Sequence, residues 1–253
     1  MANRLLGVIS ALPEELAHVS DRSGEVREIG GLPFWRGQIA GREAVFVESG
    51  AGKVNAGVAT SLLLDRFGCR ALMLCGVAGG LDPILGVGDV VVGTSNIQHD
   101  YGVQKEDSFH TIQPGSRPSL GQDWTPGYPV AEPVVARLRD AVKDLALEPL
   151  PEEVGAGPRL PGIHFGAVLT GDFFVNSERV RRRLFGAFTA FAVEMEGGAV
   201  AQVAHRWGGD TPVVNVRCLS DLAGSESHLD FRAFLPVASR YASLVAHKLA
   251  SVI

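Results

Sequence analysis

Apolar positions along this chain fall into two patterns, short continuous runs and runs at helical spacing. Six segments rich in Val, Ile, Leu and Ala predict strands: Leu5 to Ala11, Ala44 to Ser49, Ala71 to Val77, Asp89 to Thr94, His164 to Leu169 and Pro212 to Leu219. Their apolar residues are consecutive rather than alternating, the pattern of strands covered on both faces. Between them, apolar residues at helical spacing predict helices over Val54 to Phe67, Val134 to Leu147, Ala199 to Trp207 and Phe231 to Val252. In the second of these, Arg137, Arg139, Asp140, Lys143 and Asp144 supply the polar face. Strands alternating with helices predict an α/β layer architecture.

The stretch from Gln104 to Gly162 departs from this rhythm. It holds nine of the fourteen prolines and little periodicity outside the 134–147 segment. We read it as an excursion from a single domain, since ordered loops of this length are usually functional or interfacial. No internal repeat or low-complexity tract interrupts the chain.

Composition narrows the function classes. The 253 residues are 46% hydrophobic and 20% charged, with a net charge of -5. This is ordinary globular composition. No basic tract interleaved with aromatics is present, which argues against nucleic acid as a partner. The one basic run, Arg179 to Arg183, reads as the solvated face of a helix. The longest apolar stretch, Ala71 to Leu81, is too short for a bilayer, which needs about 20 residues. The N-terminal segment lacks a signal-peptide pattern. Cys69, Cys75 and Cys218 lie in or beside apolar strands without framework spacing, so reduced thiols and a cytoplasmic location are expected. No metal-ligand spacing occurs, and no cofactor is expected.

Candidate chemistry gathers around VEMEGG and RCLSD. Glu194 and Glu196 stand two apart and cannot share a helix face, so at least one should point inward. A carboxylate there can accept two hydroxyl hydrogen bonds, as a ribose diol would offer. Asp221 follows the apolar strand VVNVRCLS, and Arg217 within that strand needs an acidic partner or a ligand. The alternative is a structural buried pair. Glu14 and Glu15 follow the first strand, as acids that stabilise a helix start or as a general base. Glycine-rich SGAGKVNA lies between strand and helix but lacks a phosphate-loop spacing. In GVAGGLDP the glycines, with Val77, Ala78 and Gly79, form an expected loop whose backbone approaches a ligand or another strand. Phe173 and Phe174 offer either core packing or a stacking platform, worth about 1–3 kcal/mol per base. Asn176 or Ser177 is placed to cap the next helix.

Taken in order, GVISALPEEL, SGAGKVNA, CGVAGGL, VGDVVV, IQHD, TGDFFV, AVEMEGGAVA and VRCLSDLA resemble the nucleoside phosphorylase/nucleosidase superfamily, specifically the 5′-methylthioadenosine/S-adenosylhomocysteine nucleosidases. The resemblance spans most of the chain and is weakest over 104–162. It implies a three-layer fold with a central twisted mixed β-sheet flanked by helices. It implies hydrolysis of the N-glycosidic bond, with water attacking C1′ and adenine leaving. By motif, Asp221 resembles the acid that protonates N7, and Glu15 the base that activates water, with Arg217 nearby. Glu196 resembles the ribose-diol acceptor and Met195 the sugar contact. Phe174 and the Val175 backbone resemble the purine contacts, Phe231 the aromatic near the 5′ substituent, and Ser220, Val77, Ala78 and Gly79 further lining. Glu194 is assigned a structural role.

The resemblance further implies a homodimer, a nucleoside substrate and a place in methionine salvage. Phosphorylases of the superfamily need cationic side chains where this chain carries Leu74 to Val77 and Leu12 to Glu15, which favours water over phosphate. Val77 stands where Ser is frequent and Gly224 where Asp is frequent, which leaves substrate choice open. A phosphate-dependent phosphorylase, a nucleosidase for another adenosine or futalosine-type substrate, and a catalytically silent nucleoside-binding protein are the alternatives.

Overall fold

Both faces of the central strands are covered because their residues alternate between two apolar layers. The computed structural model describes residues 5–20, 24–115, 126–152, 159–208, 211–224 and 231–253, with the side chains of 231–233 excepted. Strand β1 (Leu6–Ser10) is buried throughout and pairs in parallel with β4 (Arg42–Glu48) and β5 (Ala71–Gly80). Leu6, Val8, Ala71 and Met73 point to one layer; Ile9, Leu72 and Leu74 point to the other. Helices α1 (Pro13–Val19), α3 (Glu132–Val142) and α6 (Phe231–Ala250) cover the first face. Helices α2 (Lys53–Arg66) and α5 (Gly197–Arg206) cover the second. Each fully buried aliphatic side chain in these layers contributes about 1.5–3 kcal/mol.

Ten strands form one mixed sheet. β5 pairs in parallel with β12 (Val213–Asp221), which pairs antiparallel with β6 (Val90–Gln98). β6 continues to β10 (Ile163–Thr170) and β10 to β11 (Ala192–Glu194), both in parallel. β11 then returns to β5, antiparallel, at Val193 opposite Gly79 and Ala192 opposite Gly80. This last pairing closes half of the sheet on itself and brings Glu194 to the carboxyl end of β5.

Several sequence expectations change here. GVAGG is not a loop, since β5 runs on to Gly80. Its glycines allow close approach to another strand and to side chains: a Cβ on Gly79 would stand 3.0 Å from Ala223 and 3.1 Å from Asp221 Oδ1. β6 runs beyond Thr94 to Gln98, because it pairs with β10 along that length. The 134–147 helix ends at Val142, and α2, α5 and α6 end one or two residues before their predicted limits.

The strands β2 (Val26–Ile29) and β3 (Leu32–Ile39) were not predicted. They extend the sheet antiparallel beyond β4. Their buried and exposed positions mix rather than run continuously. Gly30 and Gly31 join them with positive φ angles of 62° and 76°, the requirement of a tight two-residue hairpin turn.

Within 104–162, β8 (Phe109–Thr111) pairs with β7 (Gly102–Gln104), and β9 (Tyr128–Pro129) pairs with β6. Leu138 and Val142 of α3 join the core beside α6. The 179–183 basic run lies on α4 (Glu178–Phe188), whose N-cap is Ser177 accepting from the Val180 N–H at 3.5 Å. Arg179, Arg182 and Arg183 are exposed, as a solvated face requires, while Arg181 turns inward to donate to Leu81 O at 3.3 Å.

Candidate active site

The site is assembled where β1, β4, β5 and β12 end, the side of an α/β sheet that takes ligands. Pro13 opens α1 directly after β1, at a position where its missing N–H costs nothing. Glu15 in that first turn accepts from the Ala11 and Leu12 N–H groups at 2.8 and 2.9 Å. Its other oxygen accepts from Val77 N–H at 2.9 Å, across the gap to β5. Glu15 therefore does stabilise the helix start, yet it is also buried beside a cavity. Burial raises its pKa, opposed by Arg217 and by the three N–H donors. Gly76 makes the approach possible, since a Cβ there would overlap Glu15 Oε1 and lie 2.8 Å from Arg217.

Arg217 finds the acidic partners that its place in an apolar strand demands. Its Nη2 donates to Glu194 at 2.5 Å and to Glu196 at 3.3 Å. Glu194 and Glu196 are both buried, although neither lies within a helix: Glu194 ends β11 and Glu196 is the N-cap of α5. At least one was expected to point inward; the tight turn between strand and helix turns both inward. Glu194 also accepts from the N–H groups of Glu196 and Gly197 and from the Thr170 hydroxyl. Its lone pairs are taken up by the scaffold. Glu196 accepts from Gly52 N–H at 2.8 Å. Its pKa is raised to about 7 by burial first, with Arg217 opposing and Glu194 adding to the rise.

Asp221 ends β12. One oxygen accepts from Ala223 N–H at 2.7 Å and the other from the Ser220 hydroxyl at 3.0 Å. Burial outweighs both bonds and raises its pKa. This is the environment that favours the acid form.

The loop after β10 supplies the remaining wall. Phe173 and Phe174 are 43% and 61% exposed, so they form a lip and not core. Phe173 meets His99 edge-on, with ring centroids 5.2 Å apart. Asp172 caps α2 by accepting from Lys53 N–H at 2.9 Å, and its own N–H donates to Asp100 at 2.8 Å. Lys53 Nζ closes the cluster at 2.7 Å from Asp100. Two backbone donors of SGAGKVNA are thus engaged within the protein: Gly52 N–H with Glu196 and Lys53 N–H with Asp172.

A cavity of about 340 Å³ lies between these parts, a volume suited to a small molecule. Glu15, Met195, Glu196, Arg217, Ser220 and Asp221 line it. So do Val77, Ala78, Gly79, Phe174 and Val175. Phe231 begins α6, but its side chain lies outside the described residues. Sequence reasoning missed Leu12 and Ala51 as lining residues, and Thr170 as the partner of Glu194. It also missed Asn215, which accepts from Arg217 Nε at 2.8 Å. A lone Asn inside the apolar run VVNVR was the available signal. Val77 contributes its backbone N–H to Glu15, a role independent of its side chain. A Cβ at Gly224 would stand 2.7 Å from Glu178 Oε2, so the carboxylate of Glu178 already fills that space.

Among the described lining residues Arg217 is the one cation, and two carboxylates hold it. Four carboxyl groups, of Glu15, Glu194, Glu196 and Asp221, line the same cavity. Such a site repels a phosphate dianion and suits a neutral nucleophile with a cationic transition state. Among the described residues no helix is long and apolar enough to cross a membrane.

Comparison with known proteins places this geometry in context. The phosphorylase superfamily model matches residues 5–253. A 5′-methylthioadenosine/S-adenosylhomocysteine nucleosidase of Mycobacterium tuberculosis is 40% identical over 232 residues, covering 91% of this chain and 90% of the relative. The Bacillus subtilis protein of the same name is 34% identical, with 92% and 93% covered. The solved nucleosidase of S. pneumoniae, bound to a transition-state inhibitor, superposes with a TM-score of 0.77 at 29% identity over 98% of this chain and 99% of that one. Futalosine hydrolase of Helicobacter pylori shares the fold, with a TM-score of 0.80 at 24% identity over 99% and 98%.

Proposed function

The chain belongs to the phosphorylase superfamily and within it to the 5′-methylthioadenosine/S-adenosylhomocysteine nucleosidases, and from that membership we propose that it hydrolyses the N-glycosidic bond of both nucleosides and releases adenine. The observation that carries this reading is the pairing of two buried carboxyls, Asp221 and Glu15, in one cavity where the one cation among the described lining residues is neutralised.

Asp221, held toward its acid form, donates a proton to N7 of the purine as the C1′–N9 bond breaks. The ribosyl group gains positive charge, which the surrounding carboxylates stabilise. Glu15 takes the proton of the water that adds to C1′. Burial makes it a stronger base, and its three N–H donors hold it in place. Glu196 accepts from the ribose diol, Met195 packs on the sugar, and Phe174 lies against the purine while the Val175 backbone reads its edge. Phe231 is assigned to the 5′ substituent by the family resemblance. Val77, Ala78, Gly79 and Ser220 complete the walls.

A homodimer fits the exposed apolar side chains of Phe174 at the cavity and of Val54 and Val58 on α2. The chain works as one domain with 104–162 as its excursion, in the cytoplasm, where its three buried thiols stay reduced. Its place is methionine salvage.

The test is adenine release from a panel of adenosines varied at the 5′ position, with a futalosine-type nucleoside included. Methylthio and homocysteinyl substituents should give the highest kcat/KM. Turnover confined to the futalosine-type substrate would replace this reading with that of a futalosine-type nucleosidase.

A further inference from the structure

Behind the site, a chain of side-chain amides runs through the sheet from Arg217. Arg217 on β12 donates Nε–H to Asn215 Oδ1 at 2.8 Å, two residues back on the same strand. Asn215 Nδ2 donates in turn to Asn96 Oδ1 on β6 at 2.9 Å. Both asparagines are completely or almost completely buried, at 0% and 1% exposure. Side-chain amides buried among apolar strand residues are costly unless bonded. The pair is thus tied to Arg217 and to nothing in solvent.

The guanidinium has few other restraints on that edge. Its Nη1 reaches Val77 O at 3.4 Å, and Nη2 bridges Glu194 and Glu196. A planar fork with one edge fixed by Asn215 can hold its other edge against both carboxylates at once. Gly197 preserves the arrangement, since any Cβ there would overlap Asn215 Nδ2 and stand 3.0 Å from Asn96 Oδ1. Gly93 does so from β6, with its Cβ position 3.3 Å from Asn215.

We propose that Asn215, braced by Asn96, is a positioning residue that sets the orientation of Arg217 and through it the placement of Glu196 and Glu15 in the cavity. This rests on the nucleosidase reading of the site. It separates two uses of a buried amide pair: mutual satisfaction within the core, and alignment of an active-site cation.

The experiment compares the parent protein with Asn215→Val and with the double variant Asn96→Val/Asn215→Val. Adenine release and thermal unfolding are measured for each. Asn215→Val strands both Asn96 Oδ1 and Arg217 Nε; the double variant relieves the first and leaves the second. The single variant should therefore lose both melting temperature and activity. The double variant should regain part of the melting temperature, that due to the stranded Asn96, while kcat stays depressed by about 10-fold or more, the scale of a lost hydrogen bond to a charged group. Asn96→Val alone, which keeps the acceptor for Arg217, should retain kcat within about threefold despite lower stability. A double variant with parental kcat and KM would overturn the proposal and leave the pair a core feature only. Absence of adenine release from the parent would instead remove the nucleosidase reading, and the assignment with it.

Discussion

Replacing Asp221 by Asn keeps the size of the side chain and removes its proton. Turnover should fall by about 10²–10⁴-fold, the range of a lost general acid, while adenine still binds. Unchanged adenine release by the variant would take the acid role away from Asp221. Glu196 yields a stability prediction. Its pKa rises from 4.5 to about 7 on folding. Between these values the folded chain holds a proton that the unfolded chain has released. Its contribution to stability is thus full below about 4.5 and is lost as pH climbs through 7. Denaturation midpoints of the parent should fall relative to Glu196→Gln across that window. Parallel pH profiles would show that the proton is not retained. At this scale the sequence was legible where charge and hydrophobicity conflict: Arg217 in an apolar strand implied a partner, and the structure gives it two. That both acids face inward was not legible, because the two-residue turn between β11 and α5 decides it. Asn215 is polar without charge, and its signal was weaker.

Elements aim these side chains, and glycine on β5 is the sharpest case. Gly76→Ala places a methyl group into Glu15 Oε1 and beside Arg217. Activity should fall by more than about 10-fold, a loss of at least 1.4 kcal/mol in transition-state stabilisation. Gly186→Ala on α4 is the control, because no atom lies within 4 Å of the added carbon. It should keep full activity and gain about 0.5–1 kcal/mol of stability. Equal kinetics for the two variants would show that the close approach at Gly76 has no bearing on the chemistry. The glycine-rich end of β5 was expected as a loop, since local composition favours a turn. Its pairing with β11 is a long-range contact, and no local pattern reports it. The edge hairpin of β2 and β3 escaped for a related reason: continuous apolar runs identify central strands, whereas these are partly solvated.

The whole molecule holds its layers together at points remote from the cavity. Arg42, on β4, donates to Ala250 O at 3.1 Å and Ile253 O at 2.7 Å, tying the end of α6 to the sheet. Arg42→Met should cost about 1.5–3 kcal/mol of stability in denaturant titration and leave KM unchanged. A raised KM would mean that α6 shapes the site from its far end. The layer architecture was legible from the alternation of runs and helical spacings; the closure of half the sheet was not. Water as the nucleophile is the central feature of the proposed reaction. Its most direct measurement is the sugar product formed from methylthioadenosine with and without excess phosphate. Free methylthioribose, formed at one rate in both conditions, is the predicted result. Methylthioribose 1-phosphate, formed only when phosphate is present, would contradict it.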